Sequence, residues 1–384
     1  YIKGKNMEII LNKEDLLNGI KVVEKITAQK GSQPVLSNIL IETVTSDRVR
    51  FCATDLNLSI SHKIKAQVEK EGKITLSAKR LGEITAKLDN KPVKLSLNPE
   101  TSVVTISCGK AKFELIGINA NEFPRVFDEE APEADEKSFE INKNTLIKGV
   151  KQVVFSAALH ESASILSGVC FNIDSNTLEI VATDGNRLTR ASKEINSKDD
   201  SAIFIVPSRT LQELIRISSI IEDEKVTITL KKAKICFSFE DVVFQSKLIN
   251  GTYPKYQQLI PANNDKIVYI DREELIGTIE RVCVMVNERT NIIKFSFNGS
   301  SLELSTDSPD AGSGKDFIDV DSNFEEIVIA FNYKYVLDSL KNMDTKKVKI
   351  EIATSLSATL FKPSFEDESK DDSYVCLIMP VQVR

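Results

Sequence analysis

The order of apolar and polar residues along this chain repeats three times. In each copy a short alternating strand leads to a polar residue that can cap a helix, and a run with helical periodicity follows. The apolar stripe of that helix recurs as Leu16, Ile20 and Val23, then Leu146, Val150 and Val153, then Leu275, Ile279 and Val282. Because this spacing places the side chains on one face, each helix is predicted to pack that face against a sheet.

Two further landmarks follow each helix in the same order. One closes a predicted strand hairpin and reads Ala53-Thr54-Asp55, Ala182-Thr183-Asp184 and Ser305-Thr306-Asp307. The other opens a second helix that carries a base at one matching position, which is Lys79, Arg209 or Lys334. Since the copies lie roughly 125 to 130 residues apart, the pattern indicates a tandem repeat. We interpret Thr-Asp as a strand-ending turn in which the aspartate accepts backbone N–H groups.

Each copy divides into two similar halves, in which a strand and a helix precede further antiparallel strands. This arrangement predicts an α+β fold of three repeated domains, each with two helices packed on antiparallel sheets. An acidic, proline-containing segment at 128–136 and a shorter one at 261–265 separate the copies. The predicted domains are therefore 7–127, 137–257 and 265–384. The residues before Met7 are expected to be an addition or a longer start.

Composition narrows the class of protein. The 384 residues are 41% hydrophobic and 28% charged, which is typical of a soluble globular protein. No run approaches the ~20 apolar residues that span a bilayer, and no signal peptide is recognised. Six cysteines without a Cys-x-x-Cys pair indicate reduced thiols in a cytoplasmic protein. Because the chain has 2 histidines, neither a zinc site nor a Ser-His-Asp triad is expected, and no cofactor or metal is predicted.

The net charge of −6 does not exclude binding to nucleic acid, because bases can gather on one face of an acidic protein. The second helices of the three copies carry bases at matching places: Lys79, Arg80, Lys87, Arg209, Arg216, Lys334 and Lys341. Together these bases would form a surface that binds phosphates without reading sequence. Each base alone is typical of an ordinary solvated helix face, and only the set on three equivalent helices favours a phosphate-binding surface, so both interpretations stay open.

Two segments resemble catalytic or phosphate-binding sites. Asp184 with Arg187 would suit an active-site turn, but the shared Thr-Asp landmark favours a structural role for the aspartate. The residues that follow, Gly185–Leu188, differ from the other copies and are therefore better candidates for function. Gly312-Ser313-Gly314-Lys315 lacks the spacing of a phosphate loop, and we interpret it as a flexible hairpin loop.

The last part of the chain contains an acidic run and an apolar end. The acidic residues at 366–368 and 371–372 are interpreted as a solvated turn between two strands. Val375–Ile378 is predicted to be the final core strand. Met379–Val381 would extend past the sheet, since Pro380 stops pairing, and an apolar end of this kind is an adaptable binding surface.

These features together resemble one known family, the bacterial replicative DNA polymerase sliding clamps, or beta subunits. The resemblance covers Met7 to Arg384 and rests on the three-fold repeat. It also rests on four motifs: Ala182-Thr183-Asp184-Gly185-Asn186-Arg187-Leu188, Asn250-Gly251-Thr252-Tyr253-Pro254-Lys255-Tyr256 with Leu259-Ile260-Pro261, Phe331-Asn332-Tyr333-Lys334-Tyr335-Val336-Leu337, and Leu377-Ile378-Met379-Pro380-Val381. It implies a head-to-tail homodimeric ring of six domains whose helices surround threaded duplex DNA. The implied function is that of a non-catalytic processivity factor that tethers the polymerase.

The resemblance also implies a pocket between the second and third domains that accepts short linear peptides from polymerases, the clamp loader and repair proteins. Carried over by motif, its lining is Leu166, Thr183, Gly185, Asn186, Arg187, Leu188, Pro254, Leu259, Asn332, Tyr335, Leu356, Leu377, Ile378, Met379, Pro380 and Val381. An apolar groove with a few polar groups suits an extended peptide. Asn186 stands where some members have His, and Gln258 and Gln382 stand where others have Arg.

The implied ring interface joins the first domain of one chain to the third domain of another. The matching apolar positions are Phe113 and Leu115 on one side and Val284 and Met285 on the other. Lys30 matches a DNA contact of the family. An aromatic pair present in some members is replaced here by Ser164-Ile165.

Two other classes of protein remain open on the residues alone. The first is an enzyme that uses Asp184 with Arg187, which predicts turnover that is lost in Asp184→Asn. The second is a monomeric repeat scaffold that binds proteins and has no role on DNA, which predicts a monomer in solution.

Overall fold

The structure is a computed structural model that describes residues 6–28, 33–127, 136–159, 164–195, 201–308 and 312–382. The predicted DNA contact Lys30 lies outside these ranges. The α-helices are α1 Lys13–Val23, α2 Ala78–Lys87, α3 Lys143–Val153, α4 Ser208–Ser218, α5 Arg272–Val282 and α6 Tyr333–Lys341. The strands are β1 Glu8–Leu11, β2 Asn38–Thr45, β3 Arg48–Thr54, β4 Leu58–Lys65, β5 Gln67–Lys70, β6 Lys73–Ser77, β7 Val93–Asn98, β8 Val103–Cys108, β9 Ala111–Ile116, β10 Lys137–Asn142, β11 Gly168–Asp174, β12 Thr177–Thr183, β13 Arg187–Glu194, β14 Ala202–Pro207, β15 Lys225–Lys231, β16 Lys234–Ser238, β17 Val242–Lys247, β18 Lys266–Asp271, β19 Ile292–Asn298, β20 Ser301–Ser308, β21 Gly312–Asp319, β22 Asp321–Ser322, β23 Glu326–Asn332, β24 Lys347–Ile352, β25 Thr359–Ser364 and β26 Tyr374–Ile378.

The helices bury the apolar stripes that the sequence predicts. Leu16, Leu146 and Leu275, the first residue of each stripe, are all 0% exposed. Helix α1 packs on α2 and on β4, and α5 packs on α6 and on β21. No helix in the described ranges is long and apolar enough to cross a membrane. The apolar faces of these helices therefore form the hydrophobic cores together with the sheets on which they pack.

The chain divides into two compact units. Unit 1 contains Tyr1–Lys143 with Gln212–Leu248, and unit 2 contains Asn144–Leu211 with Ile249–Arg384. Unit 1 holds a 5-stranded sheet, β5-β1-β7-β8-β9, and an 8-stranded sheet, β10-β15-β16-β17-β4-β3-β2-β6. Unit 2 holds a 9-stranded sheet, β14-β11-β12-β13-β26-β25-β24-β18-β22, and a 4-stranded sheet, β21-β20-β19-β23. The predicted central domain, 137–257, supplies strands to both units.

Each large sheet is shared between neighbouring copies of the repeat. In unit 1 the fourth strand of the first copy, β4, pairs antiparallel with the last strand of the second copy, β17. In unit 2 the fourth strand of the second copy, β13, pairs with the last strand of the third copy, β26. We call these two pairings seams. They explain why the compact units do not follow the predicted domain borders.

The Thr-Asp landmark is a turn in the first two copies and is displaced in the third. Ile292 pairs with the helix cap Asn332, as Asn38 pairs with Ser77 in the first copy. Continuing both ladders through the next hairpin puts Asp307, and not Thr306, at the place of Thr54. The predicted equivalence of Ser305-Thr306-Asp307 is therefore wrong by one residue. Because side chains alternate across a strand, Thr306 takes the inward place of Ala53 and Asp307 takes the outward place of Thr54.

Another prediction about a loop is also wrong. Gly312-Ser313-Gly314-Lys315 is the first half of strand β21 and pairs with β20, Gly314 facing Thr306. Glycine is rare inside strands, so composition alone favoured a loop. By contrast, the predicted final strand is observed as β26, and the chain leaves the sheet at Met379.

Candidate functional site

The turn between β12 and β13 is held by its own side chains. Thr183 Oγ1 donates to the carbonyl of Arg187 at 2.6 Å and accepts from the amide of Gly185 at 3.1 Å. Asp184 Oδ1 accepts from the amides of Asn186 at 2.9 Å and Arg187 at 3.1 Å. The carboxylate thus acts as a turn cap, as predicted, and this leaves Asn186 exposed at the tip.

Gly185 has a backbone reason for its identity. Its φ is +91°, and a Cβ placed there would have no atom within 4 Å. The equivalent residue of the first copy is Leu56, which also has a positive φ, 75°. Since only glycine adopts this region without steric cost, the turn conformation is shared and Gly185 relieves strain that Leu56 retains. Gly185 is therefore less specific to function than its absence from the other copies indicated.

Arg187 is a buried cross-link within unit 2. Its Nε lies 3.0 Å from Asp184 Oδ2 and its Nη1 lies 2.7 Å from Asp338 Oδ2, while Nη2 donates to the carbonyl of Phe155. The guanidinium also lies over the ring of Tyr335, at 4.3 Å from its centroid. Because the side chain is 9% exposed and each of its three nitrogens has a partner, Arg187 acts as a structural cross-link of the site.

The C-terminal segment extends along the same turn. Ile378 pairs with Arg187 in the seam, and the amide of Met379 then donates to the carbonyl of Asn186 at 2.9 Å. Two residues later the amide of Val381 donates to the carbonyl of Ala330 at 2.8 Å. These bonds fix Met379 beside the β12–β13 turn and Val381 beside β23, so the segment passes the edge of the sheet as the sequence predicts.

A core of apolar residues lies beneath the turn and the C-terminal segment. It contains Cys170, Val181, Leu188, Ile205, Tyr253, Tyr256, Leu360, Val375 and Leu377, with Ile165, Ile249, Ile260 and Ala358 at its border. The hydroxyl of Tyr253 accepts from the amide of Thr183 at 3.2 Å and so ties the segment after β17 to the turn. The predicted pocket residues on the turn, in the C-terminal segment and around Tyr253 therefore come together in one place.

Exposed apolar side chains surround this core. Leu259 is 54% exposed, Met379 is 41% exposed, and Pro254 is also exposed. Leu356 is 62% exposed and lies in the turn before β25, whose first residue pairs with Ile378. Leu356 and Met379 thus leave the same end of one strand pair. An exposed apolar rim over a buried apolar floor is the arrangement that binds the side chains of an extended peptide.

The remaining predicted pocket residues lie on the border. Leu166 and Pro380 are half-buried, and Tyr335 is half-buried under the Arg187 guanidinium. Asn332 is the cap of α6, where its side chain accepts from the amide of Lys334 at 3.0 Å. Its role in the structure is therefore to begin a helix, which is a sufficient reason for its identity.

The site has no group prepared for chemistry. Burial raises the pKa of the Cys376 thiol to about 11 and that of the Cys170 thiol to about 12, so both stay protonated and weakly nucleophilic near neutral pH. Burial also raises the pKa of the Tyr253 hydroxyl. Asp184 is engaged by the turn amides and by Arg187. Within the part of the chain that the structure describes, no three His, Cys, Asp or Glu side chains gather as metal ligands would.

Most of the predicted DNA-facing bases lie exposed on their helices. Lys79, Arg80 and Lys87 are exposed on α2, and Arg209 and Lys334 are exposed in the first turns of α4 and α6. A second set is engaged with neighbouring helices. Lys341 is exposed but forms an ion pair with Glu280 at 2.7 Å.

Arg216 differs from the other bases. Its guanidinium donates to the carbonyls of Lys21 at 2.7 Å and Val22 at 2.9 Å, in the last turn of α1. It also forms an ion pair with Glu213 at 2.7 Å. Because carbonyls at a helix C-terminus otherwise lack partners, Arg216 caps α1 and is committed to the fold.

The comparisons with known proteins agree over the whole repeat. Family models of the DNA polymerase III beta subunit match residues 7–127 as its N-terminal domain, 140–255 as its central domain and 257–382 as its C-terminal domain. The beta sliding clamp of Synechococcus elongatus is 30% identical, over 98% of this chain and 100% of its own length. That of Bacillus subtilis is 28% identical, over 98% of this chain and 100% of its own length.

The chain belongs to the bacterial DNA polymerase III beta sliding clamp family. Solved clamps have the same fold. The Pseudomonas aeruginosa clamp bound to griselimycin gives a TM-score of 0.90 at 27% identity and covers 98% of this chain and 100% of its own. The Bacillus subtilis clamp gives 0.89 at 27% identity and covers 99% and 100%. The predicted clamp fold is confirmed.

Membership also confirms the predicted function. Sliding clamps of this family are non-catalytic accessory subunits of DNA polymerase III, which close as rings around duplex DNA and bind the polymerase and the clamp loader. The alternatives of an enzyme at Asp184 and of a protein scaffold without DNA are therefore wrong. The assignment of individual residues to the pocket, the DNA surface and the ring interface stays a prediction.

The four residues predicted for the ring interface lie on two surfaces. Phe113 is 40% exposed and Leu115 is 8% exposed, both on the edge strand β9 of unit 1. Val284 is 76% exposed and Met285 is half-buried, both in the short turn of helix after α5 in unit 2. A Cβ on Gly314 would lie 3.2 Å from Met285 Cγ, so Met285 covers the inward face of β21.

Two residues of the site were not predicted from the sequence. Asp338 and Phe155 hold the Arg187 guanidinium but belong to no recognised motif. Asp338 is separated from Arg187 by 151 residues, and single-sequence patterns carry no information on pairs so distant. The one available signal was that Arg187 occurs in the second copy of the repeat and has no counterpart in the other two, which indicates a contact particular to that copy.

Proposed function

We propose that this clamp captures partner peptides on the surface formed by the β12–β13 turn, the C-terminal segment and the residues around Tyr253. The observation that supports the assignment most directly is the chain of hydrogen bonds that ties these three segments together, Met379 to Asn186 and Tyr253 to Thr183. It sets an exposed apolar rim of Leu259, Met379 and neighbouring residues on a rigid buried floor.

The exposed rim residues would provide binding free energy, and the buried residues beneath them would hold the surface in shape. Since Leu259 and Met379 are 54% and 41% exposed, a peptide that covers them would remove further apolar area from water. Thr183, Arg187 and Leu188 are 6%, 8% and 1% exposed, so they would act mainly by fixing the shape of the surface. Asn186, exposed at the tip, is the polar side chain best placed to select among peptides.

We further propose that Lys79, Arg80, Lys87, Arg209, Lys334 and Lys341 contact the phosphates of threaded DNA. Their exposure supports this role, while the capping contacts of Arg216 support a structural role for that residue. Side chains that contact phosphates without reading bases suit a protein that slides. The division into domains 7–127, 137–257 and 265–384 belongs to the same proposal.

The proposal places the protein in the cytoplasm. All six cysteines are free, and four of them are buried. Thiols in this state are usual in a reducing compartment.

The pocket assignment is tested by peptide binding. The probe is a fluorescein-labelled synthetic peptide that carries the clamp-binding motif of a bacterial replicative polymerase, and its anisotropy is measured with the full chain. Leu259→Ala should weaken binding about fivefold, since half of an exposed leucine side chain is worth about 1 kcal/mol when it is covered. Removing residues 379–384 should abolish binding. The matched control is Val328→Ala, which truncates a residue that is 47% exposed outside the pocket.

Two outcomes would contradict the assignment. Binding that survives removal of residues 379–384 would place the pocket elsewhere. A loss for Val328→Ala as large as for Leu259→Ala would mean that the peptide binds apolar surface without selecting this site.

A further inference from the structure

A cavity of about 260 Å³ lies in unit 1, between strands β2 and β3 and residues 120–127. We call it the first-copy cavity. Leu40, Cys52 and Phe123 form its apolar floor, since Leu40 is half-buried and Cys52 and Phe123 are 1% and 5% exposed. None of the described residues that line it was predicted for the peptide pocket, the DNA surface or the ring interface.

The strands at this cavity have exact counterparts in the second copy. Leu40 pairs with Cys52 as Cys170 pairs with Val181. In both copies the first residue of each pair lies two places after the start of its strand, which in each case pairs with the end of the strand before the second helix. Leu40 therefore corresponds to Cys170, and Cys52 corresponds to Val181.

The segment that covers these strands is equivalent too. Ile118 exchanges two backbone hydrogen bonds of 3.1 Å with Thr75, and the amide of Ile249 donates to the carbonyl of Ile205, the counterpart of Thr75, at 2.9 Å. A buried aromatic residue followed by proline comes next in both copies. The matching residues are Phe123-Pro124-Arg125-Val126 and Tyr253-Pro254-Lys255-Tyr256. Val126 thus stands at the place of Tyr256.

In the second copy the ring of Tyr256 fills the space that is open in the first. Tyr256 is 5% exposed and packs in the same apolar core as Cys170. Its hydroxyl donates to the carboxylate of Glu179 and is also hydrogen-bonded by the side chain of Asn172. Because valine lacks the ring, Val126 leaves a cavity where Tyr256 leaves none of this space open.

The charges around that space differ between the copies. Arg50 stands at the place of Glu179, and Glu42 stands at the place of Asn172. Arg50 and Glu42 form an ion pair and are 30% and 19% exposed. Lys73 and Arg125 also line the cavity and are exposed. Three bases and one carboxylate therefore surround the cavity, and its net charge is positive.

We propose that the first-copy cavity binds an aromatic carboxylate. The ring of the ligand lies where the ring of Tyr256 lies in the second copy, on the floor of Leu40 and Phe123, and so leaves water. Its carboxylate faces Lys73 and Arg125 and forms charge-assisted hydrogen bonds with them. Glu42 repels it little, because that carboxylate is engaged by Arg50.

Two sources could supply this chemistry. One is a free small acid, and the other is the C-terminal residue of a peptide that ends in phenylalanine or tyrosine. Both present a ring and a carboxylate a few bonds apart, so the cavity recognises the same groups in either. This site is separate from the peptide pocket in unit 2, and its test does not depend on that pocket.

Binding of hydrocinnamate to the full chain tests the proposal. Titration is followed by saturation-transfer NMR and by calorimetry, and a ligand of this size should bind with a dissociation constant of about 0.1–1 mM. Hydrocinnamide, which has the same shape and no charge, should bind about fivefold more weakly or less well still. A difference of this kind shows that the bases at the cavity contribute.

Variants locate the bound ligand. Val126→Tyr restores the ring of the second copy and should abolish binding, with the fold checked by circular dichroism. Lys73→Gln and Arg125→Gln should each weaken binding about threefold, since both bases are exposed. Lys110→Gln, at an exposed lysine outside the cavity, is the matched control and should leave the dissociation constant unchanged. Leu259→Ala, in the peptide pocket, should also leave it unchanged.

An acetylated tripeptide that ends in phenylalanine distinguishes the two sources. If it binds more tightly than hydrocinnamate and its C-terminal amide does not, the ligand is the end of a peptide. If hydrocinnamate binds more tightly than the tripeptide, the ligand is a free acid. Both results support the cavity, because each requires the ring and the carboxylate together.

Three outcomes would overturn the proposal. They are equal binding of hydrocinnamate and hydrocinnamide, undiminished binding in Val126→Tyr, and no saturable binding of either acid up to about 10 mM. If Val126→Tyr does not fold, the exposed positions decide, and an unchanged dissociation constant in both Lys73→Gln and Arg125→Gln would overturn it equally. None of these results bears on the peptide pocket, which the labelled polymerase peptide tests separately.

Discussion

Replacing Arg187 with leucine should loosen the end of β13 more than any other single change at the pocket. Leucine keeps apolar volume against Tyr335 but removes the bonds to Asp184, Asp338 and the carbonyl of Phe155. Breaking a buried pair by removing one partner costs about 3–5 kcal/mol. Because the Asp338 side chain is 43% exposed and can return to water, the lower half of that range is expected, about 3 kcal/mol.

The two carboxylates should contribute unequally. Asp184 is 15% exposed and stays beside two backbone amides, whereas Asp338 is 43% exposed. Double-mutant cycles of Arg187→Leu with Asp184→Asn and with Asp338→Asn should give coupling energies of about 2 and about 0.5 kcal/mol. Arg187→Lys should recover less than half of the loss, since an ammonium group cannot donate in three fixed directions at once.

Native-state hydrogen exchange with mass spectrometry is the appropriate assay. It reports the free energy of opening of the β13 and β26 amides, and so it does not require the whole chain to unfold in one step. Arg289→Leu, at an exposed arginine of unit 2, is the control and should stay within about 0.5 kcal/mol of the parent. An Arg187→Leu effect below 1 kcal/mol, or a larger coupling to Asp338 than to Asp184, would refute the cross-link.

Three further predictions concern stability. Gly185→Ala should cost about 1–2 kcal/mol through its positive φ alone, and Leu56→Gly should be neutral or stabilising by up to about 1 kcal/mol; urea unfolding followed by circular dichroism decides, and a stabilising Gly185→Ala would contradict the strain argument. Burial, with a nearby lysine, lowers the pKa of Lys193 to about 8, so folding is disfavoured below that pH and the penalty fades as pH rises toward 10.5. Lys193→Met should therefore stabilise by about 1 kcal/mol at pH 7, after allowance for its partial exposure, and by nothing near pH 11; an equal gain at both pH values would show that packing alone is responsible. Hydrogen bonds from Lys70 and a second lysine lower the pKa of Glu8 to about 2, so its stabilisation is present above pH 4.5 and is lost as pH falls toward 2. Glu8→Gln should flatten the thermal unfolding midpoint across that window, and an unchanged pH profile would contradict the role of Glu8.

The repeat could be predicted from the sequence because local periodicity of apolar and polar residues determines it. Apolar stripes such as Leu16 to Val23 and turn residues such as Asp184 determine the structure of residues close to them in the chain, so a single sequence is enough to predict their effect. The one-residue displacement at Asp307 could not be predicted in this way, since strand alternation fixes it only when the partner strand is known. Gly312 and Gly314 led to the wrong prediction of a loop for a similar reason. The residue that leaves no room for their side chains is Met285, and no local sequence pattern links it to them.

The residues of the predicted pocket could be listed from sequence motifs, but the sequence did not show which of them are buried and which are exposed. Sequence grouped Asn186, Arg187 and Met379 correctly as neighbours, through their resemblance to a family. It could not show that Arg187 is buried with a partner for each of its three nitrogens while Asn186 is exposed, because two of those partners, Phe155 and Asp338, lie far away in the chain. The structure thus divides the predicted lining into residues that shape the surface and residues that a partner can reach.

The most direct test of the account as a whole is retention on DNA. The protein is loaded with a bacterial clamp loader onto nicked circular duplex, passed through a gel-filtration column at high salt, and compared with a portion in which the circle has been cut once by a restriction enzyme. A ring that encircles DNA through sequence-independent contacts should stay on the circle and leave the linear form by its ends. Equal retention on both forms, or equal loss from both, would contradict encirclement.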